Sequence, residues 1–113
     1  MIKPFKVNVS DSILKEINTK VKNYPWHEMP TDGGWEYGTN LDYMKEISDY
    51  WVNKFDWKKN EEEINKFSNF TTDVDELNIH FIMEKGSGSN ATPLLLMHGW
   101  PGSVLEFLHI IEK

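Results

Sequence analysis

The sequence predicts an α/β protein: a helical layer over residues 1–68, then the beginning of a sheet over residues 69–113. Three observations carry this. Apolar residues recur at helical spacing through the first half. Near residue 70 the period changes to two, as expected for half-covered strands. Pro93-Leu94-Leu95-Leu96-Met97 is then a short continuous apolar run, the pattern of a parallel strand buried on both faces.

The elements follow in order. Residues 3–9 read as extended, with Phe5, Val7 and Val9 alternating against Lys6 and Asn8. Ser10 or Asp11 can cap a first helix whose stripe is Ile13, Leu14, Ile17 and Val21. It should stop before Pro25, because the residue preceding a proline is pushed out of the α region. The segment Tyr24–Asn40 is a loop punctuated by Pro25, Pro30, Gly33, Gly34 and Gly38. Its Trp26, Trp35 and Tyr37 must dock on something; pinning the loop to the core is the simpler reading, a substrate contact the other. Thr39-x-x-Asp42 signals a second helix, with Leu41, Met44, Ile47, Tyr50, Trp51 and Phe55 as a broad apolar face. A third, short helix is expected over Lys58–Phe67, with Glu61-Glu62-Glu63 enriching its first turn in acid as a solvated face. Phe70, Thr72 and Val74 alternate, as do Leu77, Ile79, Phe81 and Met83, giving a hairpin around Asp75-Glu76. Gly86-Ser87-Gly88-Ser89-Asn90 is a flexible loop leading into the strand at 93–97.

That strand ends in His98-Gly99-Trp100-Pro101-Gly102-Ser103, which demands a sharp turn. Ser103 and Glu106 have capping-box spacing, and Val104, Leu105, Leu108 and Ile111 continue at helical spacing. Strand, tight turn and helix start together aim backbone N–H groups at one point beyond the strand, where a developing negative charge would be stabilised.

His98-Gly99-Trp100-Pro101 resembles the His-Gly-X-Pro oxyanion-hole motif of α/β-hydrolases, above all the epoxide hydrolases. Upstream, Asp32-Gly33-Gly34-Trp35-Glu36-Tyr37-Gly38, Leu41-Asp42-Tyr43, Tyr50-Trp51, Phe55-Asp56-Trp57, Phe70-Thr71-Thr72 and Ile79-His80-Phe81 resemble the N-terminal region of microsomal and juvenile-hormone-type epoxide hydrolases. The resemblance covers nearly the whole chain. It implies an N-terminal helical region over 1–68, then the hairpin, first parallel strand and first helix of an α/β-hydrolase over 69–113. It also implies that the Trp100 backbone N–H is one oxyanion-hole donor, supported in the motif by His98, Gly99 and Pro101, and that the Trp100-Pro101 peptide is cis. Read without the resemblance, Trp-Pro is equally a tight turn around a ring. The family usually has glycine where Glu76 stands, so Asp75-Glu76 departs from the preferred two-residue I′ turn.

In the resembling enzymes an Asp nucleophile opens the epoxide to an alkyl-enzyme ester. Two lid tyrosines polarise the epoxide oxygen, and a His backed by Asp or Glu activates the water that releases a diol. All of these follow the oxyanion motif. The 113-residue sequence is therefore expected to be a truncated epoxide hydrolase without nucleophile, base or lid, inactive alone, whose complete form takes a small apolar epoxide. Two other readings stand beside it: part of another α/β-hydrolase such as a dehalogenase or esterase, or a non-catalytic binding or assembly module.

Composition narrows the rest. A hydrophobic content of 39% with five Trp argues against disorder. Twelve basic residues, all Lys, against eighteen acidic ones leave a net charge of -6, which speaks against nucleic acid as a partner. The absence of cysteine excludes disulfides and thiolate metal sites. His27-Glu28 opens like a zinc-protease motif but lacks the second histidine, so neither metal nor cofactor is expected. No signal peptide or membrane-length run is legible, giving a cytoplasmic expectation without membrane association, and Asn8-Val9-Ser10, Asn69-Phe70-Thr71 and Asn90-Ala91-Thr92 are taken as chance glycosylation matches. His98 has no adjacent nucleophile and is read as a backbone hydrogen-bonding residue of the turn; Ser103 lacks a nucleophile elbow and is read as a cap; His80 and His109 are read as strand and helix residues.

Overall fold

The computed structural model describes residues 1–30 and 33–111, so Asp32 and Lys113 lie outside the described residues. The chain forms two compact units, one of residues 9–57 and one of residues 1–8 with 58–113.

In the first unit, α1 (Asp11–Lys22) starts where the hydroxyl of Ser10 accepts the Ile13 N–H at 3.4 Å. It ends at Asn23, two residues before Pro25, as the sequence requires. The next helix, α2 (Leu41–Asn53), is capped by Asn40 rather than Thr39. The Asn40 side-chain carboxamide oxygen accepts the Tyr43 N–H at 3.0 Å; asparagine is as good a cap as any residue, and here it sits one position closer to the first helical turn. The aromatic loop between the helices is held partly on itself and partly on α2. Tyr24 and Trp26 meet edge to face at 4.9 Å, and Trp35 lies on Tyr43 at 5.3 Å. Gly33 is buried, where a Cβ would come within 3.0 Å of the Tyr37 ring and 3.2 Å of the Pro30 carbonyl.

The second unit joins a helix to a three-stranded antiparallel sheet of order β1 (Lys3–Pro4), β2 (Asn69–Val74), β3 (Leu77–Ile82). The extended segment expected over residues 3–9 pairs as a strand only at Lys3–Pro4. Beyond it the Phe5 N–H still donates to the Asn69 carbonyl at 2.9 Å, but at Val7 a side chain replaces the ladder. The Asn65 carboxamide accepts the Val7 N–H at 2.9 Å and donates to the Val7 carbonyl at 2.8 Å. A carboxamide can copy a backbone peptide, which periodicity does not reveal.

The third helix, α3, runs Trp57–Ile64, starting one residue and ending three residues earlier than expected. The Glu61–Glu63 run therefore lies beyond its first turn. Glu62 and Glu63 are exposed, but Glu61 is buried and paired with the Lys58 ammonium at 2.9 Å, which corrects the solvated-face reading for that residue. Ile64, closing the helix, is the one hydrophobic residue buried among those described.

The hairpin registers as Phe70↔Phe81 and Thr71↔His80, so the two phenylalanines share a face and stack at 5.7 Å. Asp75 and Glu76 both adopt positive φ, 47° and 67°, making the two-residue turn without a glycine.

The expected parallel strand at 93–97 is not formed. A strand exists only through a hydrogen-bonded neighbour, and no described residue pairs with this segment. Leu94 and Leu95 are each 81% exposed and Met97 79%. The apolar run signals what the segment is suited to, burial on both faces, and not what surrounds it.

Candidate oxyanion site

The chain leaves Met97 and reverses over Gly99–Gly102, where the Gly102 N–H donates to the Gly99 carbonyl at 2.6 Å. The Trp100-Pro101 peptide within this turn is cis, as expected, which makes it the turn type with proline at its third position. Ser103 follows in extended backbone, and its hydroxyl accepts the Leu105 N–H at 3.3 Å. The helix it caps opens as a 3-10 turn (Val104–Phe107) before continuing as α4 (Leu108–Ile111). Only half of the expected capping box is present: the Ser103 hydroxyl caps, but the Glu106 carboxylate is not bonded to the Ser103 N–H.

Two features make this turn chemically available. Trp100 is 97% exposed. Its backbone N–H has no acceptor among the described residues, whereas the neighbouring Gly102 N–H is committed to the turn. A free N–H beside a helix start can donate to an oxyanion.

The histidines take the structural places expected of them. His98 Nδ1 donates to the Gly99 carbonyl at 3.3 Å. His80 lies on β3 with Nε2 2.9 Å from the Asn69 carboxamide oxygen and its ring edge-on to Phe5 at 5.4 Å; burial pushes its pKa down. Among the described residues no hydrogen bond joins a histidine to a carboxylate, so no base with an orienting acid is assembled. Nor is there a grouping of three His, Asp or Glu side chains suited to a metal. An open groove of about 360 Å³ in the 9–57 unit, lined by Leu14, Lys15, Lys22 and Val52 among others, contains no nucleophile–base pair. No helix is long and apolar enough to cross a membrane among the described residues.

The sequence marks Asn69 only as the start of a chance glycosylation match. It is buried, and its carboxamide nitrogen donates to the carbonyls of Ile64 at 2.9 Å and Phe67 at 2.8 Å while its oxygen faces His80. The one signal was a polar residue at the first position of a strand, a few residues after a helix.

The family described as "Epoxide hydrolase N terminus" matches residues 2–107. Epoxide hydrolase 1 of Sus scrofa is 41% identical over 97% of this chain and 25% of its own length. Juvenile hormone epoxide hydrolase 1 of Ctenocephalides felis is 35% identical, with 97% of this chain and 24% of that protein covered. Among solved structures, Aspergillus niger epoxide hydrolase superposes with a TM-score of 0.89 at 30% identity, over 99% of this chain and 30% of its own. The crystal structure of juvenile hormone epoxide hydrolase from Bombyx mori gives 0.85 at 34% identity, over 98% and 27%. The chain thus spans about a quarter of the length of the curated relatives it matches.

Proposed function

Because this chain belongs to the family of epoxide hydrolase N termini, the N-terminal portion of the α/β-hydrolase fold in those enzymes, we propose that it supplies one oxyanion-hole donor, the Trp100 N–H, to an epoxide hydrolase site. The observation that carries the reading is the pairing state of the turn: Gly102 donates within it while the exposed Trp100 N–H is left without an acceptor. A dehalogenase or esterase parent is not favoured, since the relatives and the superposing structures above are epoxide hydrolases.

The chemistry runs through an ester. A carboxylate nucleophile attacks one epoxide carbon, the C–O bond breaks, and the oxygen leaves as an alkoxide that takes up a proton. Water, losing a proton to a base, then adds to the ester carbonyl. The resulting tetrahedral oxyanion is where Trp100 N–H donates. Collapse releases a vicinal diol and restores the carboxylate. A donor so placed is worth roughly 10²–10³ in kcat, because it strengthens as charge develops. The substrate class is a small apolar epoxide.

The test is a chimera in which residues 1–113 replace the matching region of the Bombyx mori enzyme, assayed for diol formation from styrene oxide. Activity is expected. Replacing the Gly99–Trp100 amide by an ester, which removes the Trp100 N–H and also weakens the Gly99 carbonyl as the acceptor for Gly102, should cost at least about 10²–10³ in kcat. An active chimera indifferent to that deletion would overturn the oxyanion role.

A further inference from the structure

Glu106 stands three residues after the Ser103 cap, in the first turn of the helix that follows the oxyanion turn. Its N–H donates to the Ser103 carbonyl at 3.2 Å. Its carboxylate folds back over Gly102: a Cβ placed on Gly102 would overlap the Glu106 Oε1 and lie 2.7 Å from Cδ and 2.8 Å from the Gly99 carbonyl oxygen. The space that any other residue at 102 would fill is therefore occupied by the Glu106 side chain. A carboxylate in the first helical turn is also favourably placed against the backbone dipoles there.

We propose that Glu106 is a positioning residue for the Trp100 donor. Its carboxylate, seated on Gly102, ties the helix start to the Gly99–Gly102 turn and so fixes the direction in which the Trp100 N–H points. The inference rests on the oxyanion reading for its catalytic meaning, but the contact itself can be tested without catalysis. A glycine at 102 is required here for close approach, not for an unusual φ.

The experiment follows the backbone amide resonances of residues 99–103 and the Glu106 Cδ resonance of the 113-residue chain through a pH titration. The amides of Trp100, Gly102 and Ser103 are expected to share the Glu106 inflection. His98, in the turn, and His109, on α4, lie in the same segment, and any inflection not due to Glu106 remains in Glu106→Gln. The shared Glu106 inflection is lost in that variant. Gly102→Ala, which fills the seat of the carboxylate, should uncouple the amides while Glu106 Cδ still titrates. Amides that follow no inflection in common with Glu106 Cδ in the unsubstituted chain, or a coupling that survives Gly102→Ala, would overturn the proposal. In the active chimera Glu106→Gln should lower kcat roughly ten- to a hundredfold with KM unchanged, the signature of a misdirected donor; an unchanged kcat refutes the positioning role. Loss of the oxyanion reading in the ester-substitution experiment would leave the amide titration intact, so the two fail separately.

Discussion

The Asn69 carboxamide oxygen lies 2.9 Å from His80 Nε2, while the nitrogen of the same carboxamide donates to the carbonyls of Ile64 and Phe67. Both carboxamide protons are thus committed to carbonyls, so the oxygen can only accept and His80 Nε2 must be the donor. One buried side chain thereby fastens the end of α3 to β2 and, across the hairpin, to β3. Asn69→Ala removes all three bonds and strands two carbonyls. At about 1 kcal/mol net for each bond, the loss should be about 2–4 kcal/mol. Urea denaturation of the substituted and unsubstituted chains measures it, and a change under about 0.5 kcal/mol would show that water replaces the carboxamide at no cost.

The same pair sets a pH dependence. Burial lowers the pKa of His80 in the folded chain from its ordinary value of 6.5. Between the two values the unfolded chain holds more protons than the folded one, so unfolding free energy rises with pH in that window. The contribution is complete above the unfolded pKa and is lost as pH falls below it toward the folded value. His80→Gln, which keeps a donor for Asn69 but cannot titrate, should flatten the stability profile as pH falls below 6.5. An equally steep profile in the variant would place the dependence on other groups.

The Asp75-Glu76 turn carries a cost that a single substitution removes. At φ 67°, Glu76 sits in the left-handed region, which disfavours an L side chain by roughly 1–2 kcal/mol. Glu76→Gly relieves this but gives the unfolded chain more freedom, so the expected net gain is about 0.5–1 kcal/mol. A higher thermal midpoint, without change in the hairpin amide pattern, is the predicted result. A lower one would mean that the Glu76 side chain stabilises the turn by more than its backbone costs.

Much of this molecule was legible in the sequence because its signals are local. The Ser10 cap, the halt before Pro25, the two hairpin strands and the Ser103 cap each depend on residues within a few positions. Two of the readings that needed amendment depend on partners distant along the chain. Asn65 substitutes for a strand at Val7, fifty-eight residues away, and β1 shrinks accordingly. The run at 93–97 has strand composition, but a ladder requires a second strand, and composition says nothing of its presence. At the candidate site, the residues and the turn were legible, whereas the free state of the Trp100 N–H and the Glu106–Gly102 contact required coordinates.

Burial predicts a sharp contrast between two apolar positions. Ile64 is 5% exposed at the end of α3, so Ile64→Ala should cost about 2–5 kcal/mol. Leu94 and Leu95, at 81% exposure, have almost nothing to lose in this chain, and their replacement by Ser should change stability by less than about 0.5 kcal/mol while reducing self-association. Chemical denaturation and light scattering separate the two effects. A large stability loss in the Leu94→Ser, Leu95→Ser variant would reveal a covered segment.

The last prediction concerns the 113-residue chain as a catalyst. Oxyanion stabilisation lowers the barrier to a tetrahedral intermediate only once an ester exists to be attacked. Among the described residues His98 is engaged with the Gly99 carbonyl and Ser103 with the Leu105 N–H, so neither is set up as an activated nucleophile. His80 is turned toward Asn69. On the reading proposed above the Trp100 N–H would stabilise charge, but among the described residues no activated nucleophile is set up to generate it. Purified chain incubated with styrene oxide should form diol no faster than buffer, and no faster than the chain with the Gly99–Trp100 ester, whereas the chimera with a downstream hydrolase core should turn over. Diol formation by the 113-residue chain above both controls would place a nucleophile within it and require the turn to be reassigned.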